Sequence, residues 1–289
     1  MATKSLLRMG QISSVLTATI GVFLLAGSGS FMISGCSDKA KTDSTAVIKG
    51  EANSKEDVLK ILNGGWVNVE YVNALKRVHS PMFAAEAGRP VQELNFDISK
   101  MRGDTVYNSS GRLNFIEGTR FDLVVTESSN GVMISVNDGI EGNDEIKVTY
   151  KLTNDDTLLA IINSKNNDTT WYMNQFKTVP LKRDLPVSPL EFCVNNELLS
   201  GEWTSSSGQK VTFNSNGTVV GWDAWTMYSL EVDKFGIEVQ PDVISAYNDK
   251  KGATYVYTLD NGKLSVYEYM SEGEEAWTRG KLVVEFTRK

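Results

Sequence analysis

The chain has 289 residues, 41% of them hydrophobic and 22% charged, enough apolar material for one large domain or two ordinary ones. That composition excludes collagen-like, coiled-coil and wholly disordered architectures. With 29 basic and 36 acidic residues the formal charge is −7, which argues against nucleic acid as a partner. A single histidine (His79) and two cysteines (Cys36, Cys193) speak against multi-histidine metal centres and disulfide scaffolds.

Lys4 and Arg8 form a basic head, and no charged residue follows between Met9 and Ser37. Val15–Ala26 is the apolar heart of this segment, twelve positions where a spanning helix needs about 20. The pattern predicts a secretory signal over residues 1–35. The run ends in Ile33-Ser34-Gly35-Cys36, which resembles the bacterial lipobox. The resemblance implies cleavage before Cys36 and attachment of palmitate-type acyl chains to that residue. At about 0.8 kcal/mol per buried methylene, two or three chains make attachment effectively permanent. Ser37, by analogy with enteric bacteria, implies the outer membrane of a Gram-negative envelope. The alternative is an uncleaved signal anchor with Cys36 incidental. Loss of Lys4 and Arg8 with the signal takes the formal charge from −7 to −9, so lipid rather than a basic patch would hold the protein at a membrane.

Residues 36–53 read as a flexible tether: after the cysteine they are polar, charged and free of aromatics. Such a coil spans about 20–25 Å on average and about 60 Å when stretched. Order is expected from Ser54, where Ser54 and Asp57 match a capping box ahead of Val58, Leu59, Ile61 and Leu62. Asn63-Gly64-Gly65 stops that helix.

From Trp66 the period changes from about 3.6 to 2. Phe121, Leu123 and Val125 alternate with polar neighbours, as do Val132, Ile134 and Val136. In Glu145–Leu152, Ile146, Val148, Tyr150 and Leu152 face one way and Glu145, Lys147, Thr149 and Lys151 the other. This is the pattern of antiparallel strands with one buried and one wet face. About eight such strands lie between Trp66 and Phe176, within a first barrel over residues 54–178. Tyr71–Pro90 breaks the alternation: Ala74-Leu75-Lys76 suits a helix, Ser80-Pro81 ends it, and the excursion is placed where a lid over a barrel mouth would attach.

Pro180, Pro186 and Pro189 mark residues 179–197 as a semi-rigid extended linker. A second alternating series fills residues 198–289, its inner faces marked by Val211 and Phe213, Val220 and Trp222, Leu264 and Val266, and Leu282, Val284 and Phe286. Asn216-Gly217 and Asn261-Gly262 are hairpin turns. The fold class is all-β, two small antiparallel barrels in tandem behind a signal peptide and flexible tether.

The two halves open alike, with Leu62-Asn63-Gly64-Gly65-Trp66 and Leu199-Ser200-Gly201-Glu202-Trp203. This Gly-x-Trp signature resembles the start of lipocalins and the wider calycin group. Phe213–Val219 is similar to a hairpin of lipocalin-like domains in Bacteroidetes-type envelope lipoproteins. The resemblance implies that Gly64 and Trp66, and Gly201 and Trp203, close one end of each barrel. It also implies an arginine packed across each tryptophan: Arg288 or Arg279 for Trp203, with only Lys177 and Lys182 in the corresponding place for Trp66. In physical terms, glycine would let the chain pass close to the barrel floor and tryptophan would plug the end. An eight-stranded barrel either fills itself or holds one small ligand. The second half, about 90 residues, is expected to be filled and the larger first half to be the container.

Chemistry-bearing patterns are scarce. His79 beside Ser80 would point away from it in an extended chain, and no Gly-x-Ser-x-Gly elbow occurs. Cys193, between Phe192 and Val194, reads as a small buried hydrophobe. Asn137–Glu145 puts its glycines in the wrong places for a calcium loop and reads as a solvated turn. Neither phosphate loop nor dinucleotide fingerprint occurs, and nothing fixes a carboxylate pair at the roughly 5–10 Å that glycoside hydrolysis needs. Catalytic residues, metal and cofactors are therefore all expected to be none. Trp222 continues the inward series; Trp225 either faces out as a partner anchor or is turned inward by a bulge. The expected function is non-enzymatic binding of a small apolar or amphipathic ligand in the first barrel of an envelope lipoprotein. The alternative is a protein-interaction or inhibitor module with filled barrels that binds an envelope or extracellular protein.

Overall fold

A computed structural model describes residues 54–87, 92–107, 122–128, 131–137, 146–152, 157–163, 167–175, 187–223, 225–232, 241–271 and 277–289. Cys36, the signal, the tether, Phe121, most of the Asn137–Glu145 turn, Lys177, Pro180, Lys182 and Pro186 lie outside the described residues.

Helix α1 (Lys55–Leu62) starts at Ser54, whose hydroxyl accepts from Asp57 N at 3.2 Å and donates to the Asp57 carboxylate at 2.7 Å. Among the described residues there follow β1 (Gly64–Asn68), α2 (Val69–Val78), α3 (Pro81–Ala87), β2 (Glu93–Phe96), a 3-10 turn (Ile98–Lys100), β3 (Thr105–Val106), β4 (Asp122–Ser128), β5 (Gly131–Asn137), β6 (Ile146–Leu152), β7 (Thr157–Asn163) and β8 (Asp168–Asn174). The strands form one antiparallel sheet in the order β2-β1-β8-β7-β6-β5-β4-β3. Its end strands are β2 and β3.

The second half opens with α4 (Pro189–Leu198), then β9 (Gly201–Ser205), β10 (Lys210–Phe213), β11 (Val219–Val220), β12 (Met227–Leu230), β13 (Val243–Tyr247), β14 (Gly252–Asp260), β15 (Lys263–Ser271) and β16 (Trp277–Arg288). These strands run β11-β10-β9-β16-β15-β14-β13-β12, the same cyclic neighbour order as the first sheet but opened between the third and fourth strands instead of the second and third. Here the ends nearly meet. Thr218 bridges Met227, Val219 N donates to Thr226 O at 2.9 Å and Tyr228 N to Gly217 O at 2.7 Å, giving a nearly closed eight-stranded barrel.

Strand β1 is buried on both faces, and the period of two sends its side chains to different cores. Trp66 joins Val58, Leu62, Leu94, Phe96, Leu123, Val125, Ile134, Val148, Tyr150, Leu159 and Tyr172 in the first-sheet core. Val67 joins a second core that takes in Tyr71, Val72, Leu75 and Ala84 of the α2–α3 excursion, Leu190, Val194 and Leu198 of α4, and the barrel interior. All described residues belong to one compact unit.

Four expectations need correction. In the excursion placed as a lid, the helical piece expected at Ala74-Leu75-Lys76 is part of a longer helix, α2, followed by a second, α3, and the apolar faces of both enter the second core. Ser80-Pro81 begins α3 as well as following α2, because proline is pre-organised for a first helical turn. Pro189 does not lie in an extended linker. It occupies the first turn of α4, where its missing N–H costs nothing, and Ser188 and Glu191 complete a capping box (Glu191 N to Ser188 Oγ 3.2 Å, Ser188 N to Glu191 Oε2 2.8 Å). In the second alternating series Val219, not Val220, is inward: Val219 pairs with buried Phe213, and Val220 is 65% exposed. Leu282 is 53% exposed, because β16 is bulged against β15 there: Val284 lies opposite inward Val266, but Leu282 lies opposite the next residue, Tyr267, on the other face.

Candidate functional site

The two Gly-x-Trp openings adopt one geometry. Gly64 and Gly201 hold φ at +132° and +128°, a region that side-chain-bearing residues rarely enter. Trp66 Nε1 donates to Leu62 O at 2.9 Å, and Trp203 Nε1 to Leu199 O at 2.7 Å. Both indoles are fully buried and anchor a helix end to the first strand of each half. The expected close approach is not the reason for glycine at Gly201: a Cβ there would meet nothing within 4 Å, so backbone conformation is what selects it. At Gly64 both reasons apply, since a Cβ would lie 3.3 Å from the Asn174 side-chain amide.

Arg288, not Arg279, covers Trp203. Its guanidinium sits 4.8 Å from the indole and donates to Leu198 O at 2.8 Å and Ser200 O at 3.2 Å, satisfying carbonyls at the end of α4. Arg279 lies over Tyr267 at 4.6 Å. In the first sheet Asn174 holds the register position opposite Trp66 that Arg288 holds opposite Trp203.

The interiors differ in chemistry. The barrel is filled by rings about Phe213, which meets Trp203 at 6.3 Å, Trp222 at 5.7 Å, Tyr228 at 5.1 Å and Phe286 at 5.8 Å. The first-sheet core is mainly aliphatic on its β4–β7 side and contains the Tyr150 hydroxyl, which is buried with no hydrogen-bond partner among the described residues. Burial and the nearby Asp57 carboxylate push the Tyr150 phenol up.

Trp225 is half-buried against the second core, with Lys251 Nζ 5.2 Å above its ring. It stands in a turn, not on a strand: Trp225 N donates to Trp222 O at 2.9 Å, and Asp223 has φ +45°. His79 is exposed at the left-handed C-cap of α2, whereas its neighbour Ser80 is buried and turned away. Cys193 is buried on α4, and burial pushes its thiol up to about 12, leaving it protonated and inert. Among the described residues no group of three His, Cys, Asp or Glu side chains is placed to hold a metal ion, and no helix is long and apolar enough to cross a membrane.

Residues not singled out from sequence join the two halves. Ser80 Oγ donates to Asp242 Oδ1 at 2.8 Å, and Met82 N approaches the same oxygen at 3.3 Å. Burial pushes the Asp242 carboxyl up to about 6, against the pull of those two donors. Glu93, 2% exposed, accepts from Leu190 N at 2.8 Å in the first turn of α4. Lys76 and Glu197 pair across α2 and α4 at 3.7 Å. A signal for Glu93 existed in sequence: it precedes Leu94 and Phe96 in a strand whose second face also had to be buried. No sequence signal marked Asp242, because its partners lie about 160 residues away.

Comparison of the chain with protein-family models, curated proteins and solved structures finds no match. The functional reading therefore rests on the geometry of these two halves.

Proposed function

We propose that this protein is a non-enzymatic envelope lipoprotein of a Gram-negative bacterium, acylated at Cys36 and held at the outer membrane, that binds one small apolar or amphipathic molecule inside its first half. In this reading both sheets are lipocalin-like barrels, the first a container and the second a solid support. The observation that carries it is the contrast between two sheets of the same cyclic strand order. The second is bridged between its end strands and packed with aromatic rings. The first ends at β2 and β3, which are not paired with each other among the described residues, and it buries the Tyr150 hydroxyl without a partner. An apolar interior with one unspent polar group is the composition of a small-molecule site.

The test is native mass spectrometry on residues 37–289, the mature chain without its lipid-bearing cysteine, with an organic extract of the same sample analysed alongside. The whole mature chain is needed because α2 and α3 share a core with the second half. A reproducible extra mass of a few hundred daltons, lost on denaturation and weakened in Tyr150→Phe, is the expected result. An unchanged mass after incubation with lipid and small-molecule mixtures would sink the container reading. It would favour the protein-partner alternative, for which Met270, Leu282 and Val283, each about half exposed on β15 and β16, are side chains to probe. Metabolic labelling with an alkynyl palmitate, abolished in Cys36→Ser, tests the anchor separately.

A further inference from the structure

The first sheet is zipped unevenly. Strand β5 pairs with β4 at seven positions and β6 with β7 at seven, so each of these two hairpins is joined along its whole length. Between the hairpins, β5 and β6 pair at one position only, Ser135 with Lys147. Both strands have seven residues, so strand length does not set that limit. The fifth and sixth strands of the second half, β13 and β14, are paired at all five positions of β13, from Val243 opposite Val256 to Tyr247 opposite Gly252. The filled barrel is thus closed at the junction where the first sheet is parted.

Register places the parted stretch. Asn174 lies opposite Trp66, Met173 opposite Leu158 and Thr157 opposite Leu152, which puts the Leu152 end of β6 at the Trp66 end of the sheet. On that side of the single pair, continued register would set Met133 against Thr149 and Val132 against Tyr150. Met133 is 52% exposed and Leu152 43%, and among the described residues no other large apolar side chain of this sheet is exposed. Both stand on the rim of the parted stretch. On its inner side are Ile134, Val148 and Tyr150, buried members of the first-sheet core. An apolar rim therefore leads to the apolar interior at the one junction of full-length strands where almost no ladder bonds have to break. Regions with few such bonds are the ones that open locally, and here each flanking hairpin would move as a unit.

We propose that the β5–β6 seam is a side portal, through which an apolar chain passes Met133 and Leu152 to enter the first half. The proposal rests on the container reading and adds the route to it. The test joins Met133→Cys to Thr149→Cys, in residues 37–289, with a reducible bis-methanethiosulfonate cross-link. Uptake of N-phenyl-1-naphthylamine, an uncharged apolar dye, is followed by stopped-flow fluorescence. Uptake slowed about tenfold or more by the cross-link, and restored by reductant, is expected. Unchanged uptake in the cross-linked protein would overturn the portal and leave the container standing. A wild-type protein that takes up no dye would overturn both. Hydrogen exchange on the wild-type protein needs no variant to fold: β5 and β6 should exchange faster than β13 and β14, and equal protection of the two pairs also overturns the portal.

Discussion

Asp242 gives the joint a defined response to pH. Its folded carboxyl titrates at about 6, because burial disfavours the charge more than Ser80 and Met82 favour it. The unfolded chain should titrate near 3.9. Where a folded carboxyl is raised, the unfolded state releases its proton first. Stability from this group is thus complete below about pH 4 and falls as pH rises to about 6, then levels off. The gap of roughly two units corresponds to about 3 kcal/mol at most, and about 1–3 kcal/mol for a carboxylate that is only partly removed from solvent. Asp242→Asn keeps an oxygen to accept from Ser80 and Met82 but has no charge to lose. Urea unfolding of wild type and variant should show the variant gaining about 1–3 kcal/mol relative to wild type between pH 4 and pH 7.5, whatever their offset at pH 4. The corresponding change in the Tm difference between the two proteins is roughly 3–10 °C. Taking the difference between the two proteins removes the contribution of other carboxylates, including Asp97, whose folded carboxyl is lowered and whose effect has the opposite sign. Parallel curves over the whole range, or a variant that loses stability relative to wild type as pH rises, would refute the reasoning.

Gly201→Ala and Gly221→Ala separate two uses of glycine. The first meets no atom and should cost about 1–3 kcal/mol from backbone strain alone, whereas the second would put a Cβ 2.2 Å from Lys210 O and should cost more than about 3 kcal/mol. Equal costs in chemical unfolding would contradict this. Arg288→Met keeps the stem but loses the guanidinium over Trp203 and both carbonyl bonds, and should cost about 1–3 kcal/mol, with a change in tryptophan fluorescence. A neutral substitution would mean that solvent replaces those bonds fully. Cys193 in the mature chain lacking residue 36 should resist a thiol reagent at pH 8 until denaturant is added, and rapid labelling of native protein would show that α4 is not seated as described.

Local chemistry was legible in the sequence wherever its cause was local. The capping residues at Ser54, the alternation through Leu123–Val125 and Val148–Tyr150, the turns at Asn216-Gly217 and Asn261-Gly262, and the paired Gly-x-Trp openings each depend on residues a few positions apart. Hydrophobic period and turn chemistry act over that distance. The misread inner faces at Val220 and Leu282 mark where that logic ends. At Val220 the strand is two residues long and its neighbour takes the inward place; at Leu282 a bulge against Val266 and Tyr267 breaks the alternation. The linker reading failed at Pro189 because proline suits a helix start as well as an extended segment, and only the seat of α4 on Glu93 and the second core distinguishes them. Sequence alone determined a mostly β chain with two similarly opened halves behind a candidate lipid-attachment cysteine. Tertiary structure decided that β1 serves two cores, that α2 and α3 enter the second, and that Asp242 meets Ser80. Those contacts join residues far apart in the chain, and no local pattern records which distant group a buried side chain will find.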